Sequence, residues 1–125
     1  MKDSMKKLIV PLLASAAALA MAAGAAHAQQ KKTIALVTNV ASDFWTIAGR
    51  GLEKAQKEHP EYNIELIVTN EGTTAGQRRE LDDLQVRGVA GISISVDDAP
   101  HATEELNKIA ANTVLITTDS DAPQS

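Results

Sequence analysis

Thr33-Ile34-Ala35-Leu36-Val37-Thr38-Asn39-Val40-Ala41-Ser42-Asp43-Phe44-Trp45 begins with a nearly continuous apolar run and ends on two adjacent aromatic rings. An unbroken run of β-branched and aliphatic residues, without polar alternation, predicts a strand buried on both faces, as in a parallel sheet. Phe44, Ile47, Ala48, Gly51, Leu52 and Ala55 then recur at helical spacing, with Arg50, Glu53, Lys54, Lys57 and Glu58 on the opposite side. Ser42 or Asp43 is placed to cap that helix. Strand, short turn and amphipathic helix make the first half of a β-α-β unit. The turn falls at the carboxyl end of the strand, where open α/β sheets bind their ligands.

The same alternation continues along the chain. Pro60 ends the first helix, and residues 63–69 predict a second strand in which the polar Glu65 marks a less buried position. Glu71-Gly72-Thr73-Thr74 supplies a turn and an N-cap. A helix over about 75–87 follows, burying Leu81 and Leu84, with Arg78 and Asp82, and Arg79 and Asp83, spaced to pair at i, i+4. Gly88 closes it, residues 89–95 predict a third strand, and a helix near 100–111 buries Ala102, Leu106, Ile109 and Ala110. Residues 113–118 predict a fourth strand, after which Asp119-Ser120-Asp121-Ala122-Pro123 is loop.

The element order is therefore β-α-β-α-β-α-β, which predicts an α/β fold: a parallel, doubly wound sheet of strand order 2-1-3-4 with right-handed crossovers. In that order the first helix covers one face alone and the other two cover the opposite face. The first face is then bare over strands 3 and 4, and strand 4 is an open edge. The chain accordingly reads as a fragment, an incomplete lobe of a larger fold.

The amino terminus reads as a targeting segment. Lys6 and Lys7 precede an apolar stretch over 8–23 broken only by Pro11 and Ser15, and Ala26-His27-Ala28 fits an A-x-A cleavage site. Residues 1–28 are expected to be a signal peptide cleaved after Ala28, leaving 29–125. The competing reading is a membrane anchor, since the apolar span approaches bilayer thickness, but its alanine-rich core and small-residue end favour export. The absence of cysteine excludes a lipid-modified cysteine anchor and a disulfide framework. Setting aside Lys2, Lys6, Lys7 and Asp3 leaves 9 basic and 15 acidic side chains, a net charge near −6. With no basic cluster beyond Lys31-Lys32 and Arg78-Arg79, nucleic acid is excluded as a partner. An exported, acidic, cysteine-free protein fits a bacterial periplasm.

Only three aromatic residues occur in 125, and two of them stand together at the first strand-to-helix turn. That placement predicts a ligand with a flat apolar face, such as a pyranose or furanose ring. One ring of the pair is expected in the core and the other against the ligand. The loops over 39–45, 70–74, 96–101 and 119–123 converge at the same sheet edge and carry carboxylates and amides, which hydrogen-bond strongly to neutral hydroxyls. Asp119 follows its strand directly and is the strongest polar candidate, although a strand-end aspartate also suits a phosphoacceptor or a magnesium site. Asp43 is either a cap or a ligand contact. Asp97-Asp98 reads as a solvated turn with an N-cap role, and His59 and His101 as surface residues. No glycine-rich phosphate loop follows the first strand, and there is no G-x-S-x-G elbow, H-E-x-x-H or cysteine nucleophile. No enzyme activity, cofactor or metal is predicted.

Four segments together resemble the ribose/galactose type of periplasmic sugar-binding protein, a periplasmic binding protein type 1 fold that captures substrate for ABC transporters. They are Ile34-Ala35-Leu36-Val37-Thr38 with Asp43-Phe44-Trp45; Gly76-Gln77 with Leu81-Asp82-Asp83-Leu84; Gly88-Val89-Ala90-Gly91-Ile92-Ser93-Ile94-Ser95; and Leu115-Ile116-Thr117-Thr118-Asp119-Ser120-Asp121-Ala122-Pro123. The resemblance runs from about Lys32 to Pro123. It implies that 29–125 is most of the first of two similar lobes joined by a hinge that closes around the sugar. It implies sugar contacts from Phe44, Trp45 and Asp119, with Ser42, Asp43 and Ser120 beside them. The family commonly has an asparagine where this chain has Ser42 and, in ribose binders, an arginine where it has Ser120, so the sugar is left open. The implied partners are a small-molecule sugar and a membrane permease, with the full-length protein a monomer. Alternatives on the same fold are an extracytoplasmic sensory domain of a chemoreceptor or kinase and a sugar-responsive transcription regulator core. The latter needs a helix-turn-helix before Thr33, where the leader stands.

Overall fold

A computed structural model describes residues 30–124. The leader and the cleavage site after Ala28 lie outside the described residues. Seven elements follow in strict alternation: β1 (Lys32–Val37), α1 (Asp43–Glu58), β2 (Tyr62–Ile67), α2 (Thr74–Val86), β3 (Gly91–Ile94), α3 (Ala99–Ala110) and β4 (Val114–Thr117). The four strands form one sheet in the order β2-β1-β3-β4. All three pairings are parallel, with Ala35 aligned to Glu65 and to Ile92, and Ile92 to Leu115. The predicted topology and strand order are those observed.

Side chains alternate across a strand, so each register row belongs to one face. Ala35, Val37, Ile92 and Ile94 share a face with Leu81 and Leu84 of α2 and Leu106 and Ile109 of α3, forming the main core. α1 covers the opposite face over β2, where a Cβ on Gly49 would stand 3.3 Å from Leu66 Cδ2. Among the described residues no helix covers that face over β3 and β4, and Val114 and Ile116 are 71% and 60% exposed. Ile34, Gly91 and Ser93 line the same shallow apolar trough of about 320 Å³.

Local chemistry explains the boundaries. Thr73 is the N-cap of α2, its Oγ1 accepting from the Gly76 amide at 3.1 Å, a bond worth about 1 kcal/mol. Gly88 terminates α2 with φ +65°, a conformation that costs least without a Cβ. Glu65 sits on the main-core face but at its margin, where Arg87 from the end of α2 pairs with it at 2.6 Å. Two local expectations are corrected. Ser42 has the extended backbone of an N-cap, yet neither it nor Asp43 supplies a side-chain cap to α1. The anticipated i, i+4 pairs from Arg78 and Arg79 are replaced by longer-range ones: Arg78 pairs with Glu105 on α3, and Arg79 with Glu71 in the preceding turn. Asp83 pairs with Arg87 instead. A neighbouring helix and turn put carboxylates closer than the helix's own next turn does.

Candidate functional site

The parallel sheet brings the carboxyl ends of all four strands to one edge, and the candidate residues sit on the loops that leave it and in the first turn of α1. In the first turn of α1, just past the β1–α1 loop, the two rings are divided. Phe44 is 56% exposed, whereas Trp45 is 4% exposed and its indole N–H donates to Asn39 Oδ1 at 3.3 Å. The rings meet edge to face with centroids 4.9 Å apart. Ser42 and Asp43 are exposed beside them. Of the pair, Phe44 is the ring with a face free for a ligand, and Trp45 is the ring that supports it.

Asp119 leaves β4 at the same edge. Its carboxylate is exposed, and Oδ2 accepts the Ser95 hydroxyl at 2.9 Å. Its backbone takes φ +63°, the one left-handed non-glycine residue among those described. Such a conformation costs about 1–2 kcal/mol and persists where the surroundings enforce it. Here they do so on both sides: the Thr118 amide donates to Ile94 O at 2.9 Å, and Ser120 O accepts from the Val96 amide at 3.2 Å. Ser120 thus contributes a backbone contact, with a half-buried side chain. Ser95 thus fixes one carboxylate oxygen of an otherwise exposed side chain.

Beneath these loops lies a buried polar layer that hydrophobic periodicity does not announce. Thr38, Thr69, Gln77 and Ser95 are all buried. The Thr69 amide donates to Thr38 Oγ1 at 3.0 Å, and Thr69 Oγ1 donates to Thr38 O at 2.7 Å, joining the ends of β1 and β2. Ser95 and Thr38 could have been suspected as strand-end polar residues in apolar runs. Gln77 stands in the Gly76-Gln77 segment of the resemblance, but helical periodicity alone reads a glutamine in a first turn as solvated.

The other sequence candidates do not join this edge cluster through side-chain bonds. Asp97 Oδ2 accepts from Thr74 Oγ1 at 3.2 Å, and Asp98 stands at the N-cap of α3 with its carboxylate on His101 at 2.7 Å rather than on a backbone amide. His59 is an exposed partner of Glu61. The groove between α2 and α3, flanked by Arg78, Asp82, Glu105 and Lys108, lies on the outer helical layer and is built from ion pairs. No group of acidic or histidine side chains able to hold a metal occurs among the described residues. No described helix is long and apolar enough to cross a membrane.

No family model matches the chain, and no curated protein matches it. Among solved structures it is similar to an ABC transporter solute-binding protein from Burkholderia graminis C4D1M in complex with D-arabinose, with a TM-score of 0.68 and 23% identity. The match covers 74% of this chain and 32% of that one, so the chain spans about a third of the length of the protein it resembles. Together with the strand order, the likeness establishes that this chain has the α/β fold found in part of an ABC transporter solute-binding protein.

Proposed function

We propose that this chain is the sugar-contacting part of an extracytoplasmic solute-binding protein, which captures a monosaccharide and delivers it to an ABC transporter permease. The observation that carries the reading is the pairing at one sheet edge of a rigidly backed, exposed aromatic ring, Phe44, with an exposed carboxylate already oriented by Ser95, Asp119. A ring face and a hydroxyl acceptor are the two chemistries a sugar demands. That the structurally similar protein was crystallised with D-arabinose supports the choice of ligand class.

In this reading Phe44 stacks on the apolar face of the sugar, Asp119 accepts from ring hydroxyls, and Ser42, Asp43 and Ser120 border the site. The leader over 1–28 directs export and is removed after Ala28, and 29–125 acts as one wall of a cleft. No step of covalent chemistry is needed. The decisive experiment titrates the complete gene product with a panel of aldopentoses and aldohexoses, following calorimetric heat and the fluorescence of Trp45. Saturable binding of one sugar supports the proposal, and silence across the panel removes sugar as the ligand. Uptake of the labelled sugar by cells lacking the gene then separates transport from the sensory role, in which uptake would be intact.

A further inference from the structure

Gln77 stands on α2, in none of the loops that present candidate ligand contacts, yet its side chain joins them. The residue is 3% exposed. Its Nε2 donates to Thr38 O at 3.0 Å and to Ser95 O at 2.7 Å, and its Oε1 accepts from the Asp97 amide at 3.1 Å. Only an amide side chain supplies two donors and an acceptor from one planar group. A carboxylate would face two carbonyl oxygens, and an apolar isostere would leave two buried carbonyls and an amide with a lost partner.

Each bonded group lies at a hinge point of the candidate site. Thr38 is the residue at which β1 becomes the loop that carries Asn39 and leads into the first turn of α1, where Phe44 and Trp45 stand. Ser95 directly follows β3, and its own hydroxyl orients Asp119 on the next loop. Asp97 lies within the β3–α3 loop. We infer that Gln77 is a positioning residue for the ligand site: its single amide sets the separation of the β1–α1 and β3–α3 loops and, through Ser95, the placement of the Asp119 carboxylate opposite Phe44. This rests on the reading of that edge as the sugar site.

The test compares Gln77→Met with Ile109→Ala, a core change on α3 remote from these loops, in the complete gene product. Both are studied at a temperature where circular dichroism shows them folded. Two readouts need no ligand: the indole N–H resonance that Trp45→Phe removes from the spectrum, and hydrogen exchange at the Asp97 amide. Gln77→Met is expected to move the indole resonance and to speed Asp97 exchange, with Ile109→Ala leaving both at their wild-type values. For the sugar that the wild type binds, Gln77→Met is expected to weaken affinity by about tenfold or more, and Ile109→Ala to leave it within about twofold. If Gln77→Met does not fold, Gln77→Asn, one methylene too short to span the three partners, carries the same readouts. An unmoved indole resonance with unchanged Asp97 exchange overturns the inference. So does equal affinity loss in Gln77→Met and Ile109→Ala, or unchanged affinity in a variant whose loops have moved. If the wild type binds no sugar, the functional reading fails by itself, and loop positioning by Gln77 is still decided by the two ligand-free readouts.

Discussion

Phe44 and Trp45 lie edge to face, with ring centroids 4.9 Å apart and planes at 80°, and the contact assigns them different tasks. Trp45 is anchored in the fold by its indole N–H on Asn39, and its ring braces the exposed Phe44. An edge-to-face pair is worth about 0.5–1.5 kcal/mol beyond its area. Most of what it achieves here is to hold a ring that would otherwise be free to choose among rotamers in water.

The division predicts opposite phenotypes for the two truncations. Phe44→Ala removes a mostly solvated ring and should lower stability by about 1 kcal/mol. It should weaken sugar affinity by at least about tenfold, the loss of one well-used stacking face. Trp45→Ala empties a buried site and should cost about 3–5 kcal/mol. Thermal unfolding and calorimetry on the two variants decide this; a large stability loss in Phe44→Ala with unchanged affinity would reverse the assignment.

The strands were legible in the sequence because each carries its own evidence: strand-forming runs at 33–38, 63–69, 89–95 and 113–118, punctuated by Pro60, Gly72 and Gly88. The bare face over β3 and β4 followed from the order alone, and Val114 and Ile116 are the exposed residues on it. The candidate site was legible only at its surface. Phe44 stands in the first turn of the helix after β1 and Asp119 just beyond β4, where local pattern reaches. Which ring is buried depends on Asn39, six residues before Trp45, and the bonds of Gln77 depend on carbonyls 39 and 18 residues away. The Arg78 pairing shows the same limit. Spacing predicted Asp82, but the packing of α3 against α2 delivered Glu105.

Asp119 should tolerate amide substitution in the fold better than in the site. Asparagine is comfortable at positive φ, and its Oδ1 can still accept from the Ser95 hydroxyl. Asp119→Asn is therefore expected to change stability by no more than about 0.5 kcal/mol. Loss of the charged acceptor should weaken sugar binding by about tenfold or more. Asp119→Ala lacks both the hydrogen bond and the tolerance of that backbone, so it should cost about 1–3 kcal/mol. Chemical denaturation alongside sugar titration checks both; equal destabilisation by the two variants would show that the left-handed backbone is not what sets the cost.

Gln56 makes a separable prediction for the edge of the sheet. β2 is an outer strand, and the Gln56 side chain on α1 donates to Tyr62 O at 2.8 Å while accepting from the Ile64 amide at 2.8 Å. One side chain thus occupies an acceptor and a donor that an edge strand would otherwise offer to another chain. Gln56→Leu should lower stability by about 1–3 kcal/mol and hasten exchange at the Ile64 amide. Sugar affinity should be unchanged, because the bonds lie toward the amino end of the strand, away from the ligand loops. Loss of sugar binding in a folded Gln56→Leu protein would contradict this separation.

The face of β3 and β4 left uncovered among the described residues is expected to govern association of the unit over 29–125 when it is made alone. Val114 and Ile116 project from β4, an outer strand at the opposite edge, onto the apolar trough with Ile34. An exposed apolar face beside an unpaired strand is the combination that favours chain-to-chain contact. Ile116→Lys places a charge on that face without disturbing the core packed on its other side, so stability should change by no more than about 0.5–1 kcal/mol. Concentration-dependent association, followed by sedimentation velocity, should fall markedly in Ile116→Lys. A charge of the same sign at Val86, which is 88% exposed on α2, should have little effect. If Val86→Lys suppressed association equally, net charge and not the bare face would be the cause.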